Sequence, residues 1–394
     1  MSALPLPDAD AQAQSQQLSA QLRQQIAAAG GWLPFDQFMH HALYAPGLGY
    51  YSAGSRKFGP AGDFVTAPEM TPLFAQSLAN TVAAVLTATG GDVLEFGAGS
   101  GRLALDILLA LEARGQLPAH YWILEVSPDL AERQRATLAA GAPHLLARVG
   151  WLSALPQGFR GVMLGNEVLD AMPCKLLHWQ DGVWQERGVA CEDDGLFVWR
   201  DAPLAEPALA AAIAAHEPPD NYLSEVQPAA AAFVRSLADC VDSAVLLLID
   251  YGFPASEYYH PQRHRGTLMC HYRHHSHDDP FFWPGLQDIT THVDFSAIWA
   301  AADAAGWQLE GYASQAGYLL DAGLLQALQA LEPGTPEYFQ AAAMAQKLVS
   351  PAEMGELFKV IAFSRHLALD ALLPGFARED RKSTRLNSSH SDRS

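Results

Sequence analysis

The chain has 394 residues, a formal charge of −19 and 49% hydrophobic residues, with a mean hydropathy near zero. That length allows one large α/β domain with additions, or two domains, and a sizeable core. So acidic a chain lacks the basic footprint that sequence-independent DNA or RNA binding requires; acidity serves solubility and also suits a cationic partner.

The N-terminal stretch MSALPLPDADAQAQSQQ is acidic, with no basic start and no apolar h-region. It reads as neither a secretory signal nor an Arg-rich transit peptide. Residues 11–29 form a Gln/Ala-rich helix stopped by Gly30-Gly31. The next segment, FDQFMHHALYAPGLGYYSAGSRKFGPAGDFVTAPEMTPLF, is dense in Gly, Pro and aromatics and predicts turns. Residues 1–80 are thus an N-terminal helical and loop extension expected to cap the site, and a helical pattern returns over 73–88.

Alternation then sets the class. A strand over 92–96 leads to a helix over 101–114, and a strand over 121–125 to a helix over 128–140. A short strand near 146–149 precedes strands at 161–165 and 244–250. Short apolar strands alternating with helices specify a parallel sheet covered on both faces. Residues 174–240 interrupt it: KLLHWQDGVWQERGVACEDDGLFVWR reads as a hairpin turning at Asp181-Gly182, followed by Ala-rich helices. This is an insertion after the fourth strand. GWQLEGYASQAGYLLDAGL supplies the penultimate strand and LFKVIAFSR, 357–365, the last, so the core comprises 81–173 and 241–366.

Residues 380–394, ending in RKSTRLNSSHSDRS, have almost no apolar content and are expected to be disordered. Their abrupt change of composition marks a candidate sequencing or expression artefact. No apolar run approaches the length of a membrane span. Four scattered cysteines without a C-x-x-C read as reduced thiols in a cytosolic protein.

The first strand-to-helix turn lies in VLEFGAGSGRLALDIL, residues 93–108. Glycine permits a sharp turn and close approach of a ligand, and the helix beginning there offers unpaired N–H groups. A tight turn without ligand is the plainer alternative. The spacing Glu95, Gly97, Gly99, Gly101 differs from the G-x-G-x-x-G of dinucleotide binders. A pyrophosphate disfavours a neighbouring carboxylate, whereas the ammonium and sulfonium of S-adenosylmethionine attract one, so Glu95 favours that cofactor. Glu125, ending the next strand in YWILEVSPDL, is placed to accept ribose hydroxyls, although NAD enzymes use the same device and a helix N-terminal charge is the structural alternative.

The fourth strand runs out into GVMLGNEVLDAMP, where Asn166, Glu167 and Asp170 follow the apolar run. This rim faces the methyl group in doubly wound methyltransferases. The functional reading is that Glu167, with Asp170, grips a cationic substrate; the alternative is a turn former and a helix-terminal charge. A guanidinium fits, being always protonated and matched in shape to carboxylates. In GDFVTAPEM, residues 62–70, Asp63, Thr66 and Glu69 are the polar groups of a loop able to close a site, and Pro68 stiffens it. Six histidines (His260, His264, His271, His274, His275 and His277) show no zinc spacing. They predict a flexible polar lid, and no metal is assigned. His292, in DITTHVDF, is a candidate to contact substrate or orient a carboxylate, or a satisfied core histidine.

Taken in order, FMHHALYAPGLGYY, GDFVTAPEM, LEFGAGSGRLALDIL, LEVSPDLAERQ, GNEVLDAMP, LLLIDYGF and PGLQDITTHVDF resemble the MidA-type methyltransferases across nearly all of residues 32–365. One departure is Ala98, where that family often carries Pro. The resemblance implies a Rossmann-like, seven-stranded class I methyltransferase sheet with an N-terminal addition and an insertion, and S-adenosyl-L-methionine as cofactor. It also implies that Gly97, Gly99, Gly101 and Glu125 line the cofactor site, and that GDFVTAPE and NEVLDAMP border cofactor and substrate. Gly62, Asp63, Thr66, Pro68, Glu95 and Asn166 then join the cofactor side. Glu69 and Glu167 fall to the substrate, and Glu167, Asp170 and His292 to catalysis. The implied reaction is symmetric ω-dimethylation of an arginine on a respiratory NADH dehydrogenase subunit or another protein. A homodimer stays open. So do a small-molecule methyltransferase, a non-catalytic assembly factor that binds the cofactor, and an NAD-dependent oxidoreductase, the last disfavoured by the glycine spacing.

Overall fold

A computed structural model of the chain describes residues 4–53 and 66–376. Two units divide it: Val65–Val168, Ala232–Gly252 and Ile298–Ser394 form one, and Met1–Phe64, Leu169–Ala231 and Phe253–Ala297 the other.

The first of these is built on β1 (Asp92–Phe96), β2 (Tyr121–Leu124), β3 (Val149–Leu152), β4 (Phe159–Asn166), β5 (Val241–Phe253), β6 (Gln308–Ser314) and β7 (Phe358–Arg365). They make a continuous path in the order β3-β2-β1-β4-β5-β7-β6. The pairs from β3 to β5 are parallel, and β7 runs antiparallel to both neighbours. The order reverses between β1 and β4, the switch point where ligands of such sheets bind beyond the strand ends. The sheet is the expected class I methyltransferase arrangement.

Its strands are buried on both faces, with Leu94, Met163, Leu246 and Leu248 on one. Val93, Val162, Leu164, Val245, Leu247 and Ile249 are buried in one cluster with residues of α2 (Pro72–Thr89) and α3 (Arg102–Glu112). Local chemistry sets the helix ends. Thr71 accepts from the Leu73 N–H, with Pro72 opening α2, and Gly90 ends it in the left-handed region at φ 61°. Ser127 caps α4 (Pro128–Gly141) by accepting from the Leu130 N–H. The strand expected near 146–149 begins three residues later. Pro143–Arg148 forms a 3-10 turn, and pairing starts only at β-branched Val149.

The other unit contains the helix Ala9–Ala28, whose Asp8 cap accepts from the Ala11 N–H, and the helix Phe35–Tyr44. It also holds a five-stranded antiparallel sheet of Leu33–Pro34, Lys175–Gln180, Val183–Cys191, Phe197–Pro203 and Tyr222–Val226. Gln180 pairs with Val183 across Asp181-Gly182, both at positive φ (52° and 76°), as a two-residue hairpin turn requires.

Four stretches group otherwise than expected, among them 169–173 with the insertion and 232–240 with the sheet. Residues 65–80 group with the sheet rather than with the N-terminal extension, and 253–297 group with the insertion rather than with the core. The grouping of 253–297 has a visible cause. Glu225, buried on Tyr222–Val226, accepts from the N–H groups of Thr267 and Leu268, the Thr267 hydroxyl and the Tyr258 hydroxyl. A buried carboxylate so heavily hydrogen-bonded holds the following segment to the strand that carries it. The histidine-rich stretch, expected to be a flexible lid, is instead a small antiparallel sheet of Met269–Tyr272, His275–His277 and Asp288–Thr290. Burial of Cys270, Tyr272 and Ile289 orders it. The tail 380–394 lies outside the described residues.

The fully buried Leu247, central in β5, gives a direct test of the core. Leu247→Ala should lower unfolding stability by about 3 kcal/mol, read as a reduced urea midpoint with unchanged slope.

Candidate cofactor and methyl-transfer site

Register brings the candidate residues to one edge of the sheet. Phe96 pairs with Leu124 on one side and Gly165 on the other, and Asn166 pairs with Ile249. Gly97 and Glu125 therefore leave β1 and β2 level with Asn166, the last residue of β4, and with Asp250, which follows Ile249 within β5.

The glycine turn uses the freedom that its glycines provide. Gly97, Gly99 and Gly101 have φ of 61°, 52° and 83°. A Cβ at Gly101 would meet the Gln134 backbone at 3.0 Å, and one at Gly97 would meet the Val168 side chain at 3.3 Å. Gly101 is also the N-cap of α3 and makes no side-chain cap bond, having none to make. Ser100 donates its hydroxyl to Glu69 and accepts from the Arg102 N–H at 3.2 Å. Thr66, Pro68 and Glu69 thus sit at α1 (Ala67–Met70) in the same unit as the turn, with Thr66 preceding it as N-cap and Pro68 buried. The sequence gives Glu69 to the substrate; its structural partner is the glycine turn. Gly62 and Asp63 lie outside the described residues.

Glu125 is held on both oxygens, by the Ser127 N–H at 2.8 Å and the Gln134 side-chain amide at 3.0 Å. Glu95 is buried beneath the turn, accepting from the Tyr121 hydroxyl at 2.7 Å. Burial raises its pKa to about 7, against the lowering effect of the Tyr121 hydrogen bond. Asn166 donates to Glu167 at 2.9 Å. Its buried Oδ1 has no hydrogen-bond partner among the described residues. Together with the left-handed turn and the fixed acid of Glu125, that orphaned acceptor fits a polar nucleoside ligand at this edge.

Glu167 is the strained residue. It is not glycine, yet its φ is 53°, a conformation that costs on the order of 1–3 kcal/mol and persists where surroundings enforce it. Here the Glu167 N–H donates to the Ile249 carbonyl at 2.9 Å, and the next N–H, of Val168, to Asp250 at 3.1 Å. Asp250 also accepts from the Tyr251 N–H at 2.9 Å. In the other unit, the Asp170 carbonyl accepts from the Thr291 N–H at 3.0 Å, which fixes the segment carrying His292 beside it. The His292 ring stacks on Phe253, and the His292 backbone N–H donates to the Thr267 hydroxyl.

Sequence reasoning passed over Asp250 and Gln134. Both carried a signal: an acid closing a wholly apolar strand, and an amide on the apolar face of α4 with Leu130, Ala131 and Leu138. Among the described residues, no group of three His, Cys, Asp or Glu side chains is placed to hold a metal ion.

Residues 73–313 match the Methyltransf_28 family, described as "Putative S-adenosyl-L-methionine-dependent methyltransferase". The chain belongs to this family. Its cofactor is accordingly S-adenosyl-L-methionine. A COG1565 superfamily member from Burkholderia thailandensis, crystallised with S-adenosyl-homocysteine, is 53% identical and superposes with a TM-score of 0.93, over 96% of this chain and 99% of that one. The proteins named protein arginine methyltransferase NDUFAF7, mitochondrial, are more distant. The human one is 27% identical over 86% of this chain and 81% of its own length. The Drosophila melanogaster homolog is 28% identical over 90% and 87%. No described helix is long and apolar enough to cross a membrane.

Two tests follow from the geometry. Because the folded chain favours the protonated form of Glu95, its contribution to stability is present below pH 4.5 and lost as pH rises through about 7. The shift from 4.5 to about 7 corresponds to roughly 3 kcal/mol at about 1.4 kcal/mol per unit. Glu95→Gln keeps an acceptor for Tyr121 and should flatten that slope, so its urea midpoint should fall less than the wild type's between pH 5 and pH 8. Gly99→Val forces a β-branched residue to φ 52°. Titration calorimetry with S-adenosylhomocysteine should show binding weakened at least tenfold, with the circular dichroism unchanged.

Proposed function

We propose that this methyltransferase acts on protein arginine, forming symmetric ω-dimethylarginine on a subunit of a respiratory NADH dehydrogenase or on another protein. The observation that carries the reading is Glu167, a carboxylate held in a strained conformation at the outlet of β4, one residue beyond the orphaned Asn166 acceptor. The names of the NDUFAF7 relatives and the resemblance of the motif series support arginine as the acceptor.

S-adenosylmethionine, when bound, supplies an electrophilic methyl on a sulfonium. The turn at Gly97, Gly99 and Gly101 would admit it closely, Glu125 would accept its ribose hydroxyls, and Asn166 would accept a donor from it. Glu167 accepts guanidinium N–H groups and draws positive charge to one side of the fork. The other nitrogen is then the better nucleophile for an in-line displacement, with positioning and electrostatics as the main aids. In the proposed displacement the nitrogen–methyl bond would form as the sulfonium–methyl bond breaks, leaving S-adenosylhomocysteine, and the proton the guanidinium gives up would pass to Glu167. Asp170 and His292 are assigned to substrate orientation, Glu69 to the substrate side of the loop. Gly62, Asp63, Thr66 and Pro68 are assigned to the border of the cofactor. The reaction is placed in the bacterial cytoplasm, where the four cysteines, all free, stay reduced.

Glu167→Gln should leave S-adenosylhomocysteine affinity within about twofold while lowering turnover about a hundredfold or more; unchanged turnover removes Glu167 from the role. Mass spectrometry of NADH dehydrogenase subunits, from cells with and without the gene, should show a symmetric dimethylarginine that disappears with it. Identical methylarginine content in both would favour a small-molecule acceptor.

A further inference from the structure

We infer that Gln134 is a positioning residue for the cofactor, a single amide that locks the glycine turn to the acid assigned to the ribose. Its side chain is fully buried on α4. Nε2 donates to the Gly99 carbonyl at 3.1 Å and to Glu125 Oε2 at 3.0 Å, while Oε1 accepts from the Trp151 indole N–H at 2.9 Å. The partners fix the orientation of the amide. A carbonyl and a carboxylate only accept and an indole N–H only donates, so the nitrogen must face the first two and the oxygen the third. Both amide hydrogens and the amide oxygen are used.

A second observation stands apart from these bonds. The Gln134 backbone lies so near Gly101 that a Cβ there would come within 3.0 Å of the Gln134 Cα. Backbone contact fixes the distance from α4 to the last glycine, and the side chain fixes the middle glycine and the acid. Trp151 is itself held under the Arg135 guanidinium, 4.3 Å from the ring centroid. Three consecutive strand ends, those of β1, β2 and β3, are thereby tied through one side chain. Such ties hold a ligand's contacts at fixed spacing before it arrives, which lowers the ordering cost of binding.

The inference rests on the assignment of Glu125 to the ribose, and Gln134→Glu tests it by a change of nearly equal shape. The new carboxylate keeps the acceptor for Trp151 but faces the Gly99 carbonyl and Glu125. Two carboxylates in contact cannot both stay ionised cheaply, so they share a proton at lower pH. The other charges nearby, Arg135 on the Trp151 ring and the Asp129–Arg133 pair on α4, are common to both proteins. By calorimetry with S-adenosylhomocysteine, the variant should bind at least tenfold more weakly than wild type at pH 8. At pH 5.5 the gap should close to about twofold, because a shared proton restores a donor toward Glu125. A purely structural defect would give the same deficit at both pH values, and that outcome, or equal affinities throughout, overturns the inference. Trp151→Phe, which removes only the anchor of Oε1, serves if the first variant does not fold. It should weaken binding about threefold with the circular dichroism of the wild type, and wild-type affinity there would also overturn the inference. Absence of binding by the wild-type protein would instead strike at the cofactor reading itself.

Discussion

The organisation of the sheet's carboxyl edge depends on a backbone that changes hand three times within five residues. Gly97, Gly99 and Gly101 all lie in the left-handed region, which side chains with a Cβ rarely enter. That path lets α3 start directly at the end of β1 and lets α4 approach to contact distance at Gln134. The turn is not left to its own preferences. Gln134 holds its middle, the Ser100 hydroxyl engages Glu69, and the buried Glu95 carboxyl sits beneath it with Tyr121.

Hydrogen-bonded buried polar groups carry much of this architecture. Glu95, Gln134, Asp250 and Glu225 are all buried, and each organises backbone or side chains from more than one segment. A buried carboxylate or amide is costly unless satisfied, so each restricts the arrangement around it more sharply than an apolar contact does. At Asp250 the effect reaches the candidate chemistry, because the turn it accepts from keeps Glu167 at positive φ. Strain at a rim carboxylate is a familiar signature of function. Here the bonds that enforce it come from the neighbouring strand β5.

Much of this was legible in the chain. Wholly apolar runs between helical patterns gave β1, β2 and β7 to within one residue, β4 to within two, and the centre of β5, which runs three residues further at each end. The spacing of Glu95 and the three glycines pointed to the cofactor class that the family match bears out. The hairpin turn at Asp181-Gly182 was equally direct, because few residues accept positive φ at both central positions. Less legible was β3, whose apolar lead-in LLARVGWL suits helix and strand alike and resolves into a 3-10 turn followed by a strand.

The sequence by itself determined which elements form and which residues end them, because periodicity, caps and glycines act over a few neighbours. Tertiary structure alone decided what those ends share. The strand order β3-β2-β1-β4-β5-β7-β6 sets Gly97, Glu125, Asn166 and Asp250 at one edge. Glu225 draws residues 258–268 away from the core to which their position in the chain would assign them. Gln134 gains its meaning only when three strand ends converge on it. The physical reason is common to all three: a buried hydrogen bond is specified by the atom at each end, and the partners lie in segments that pattern along the chain does not connect.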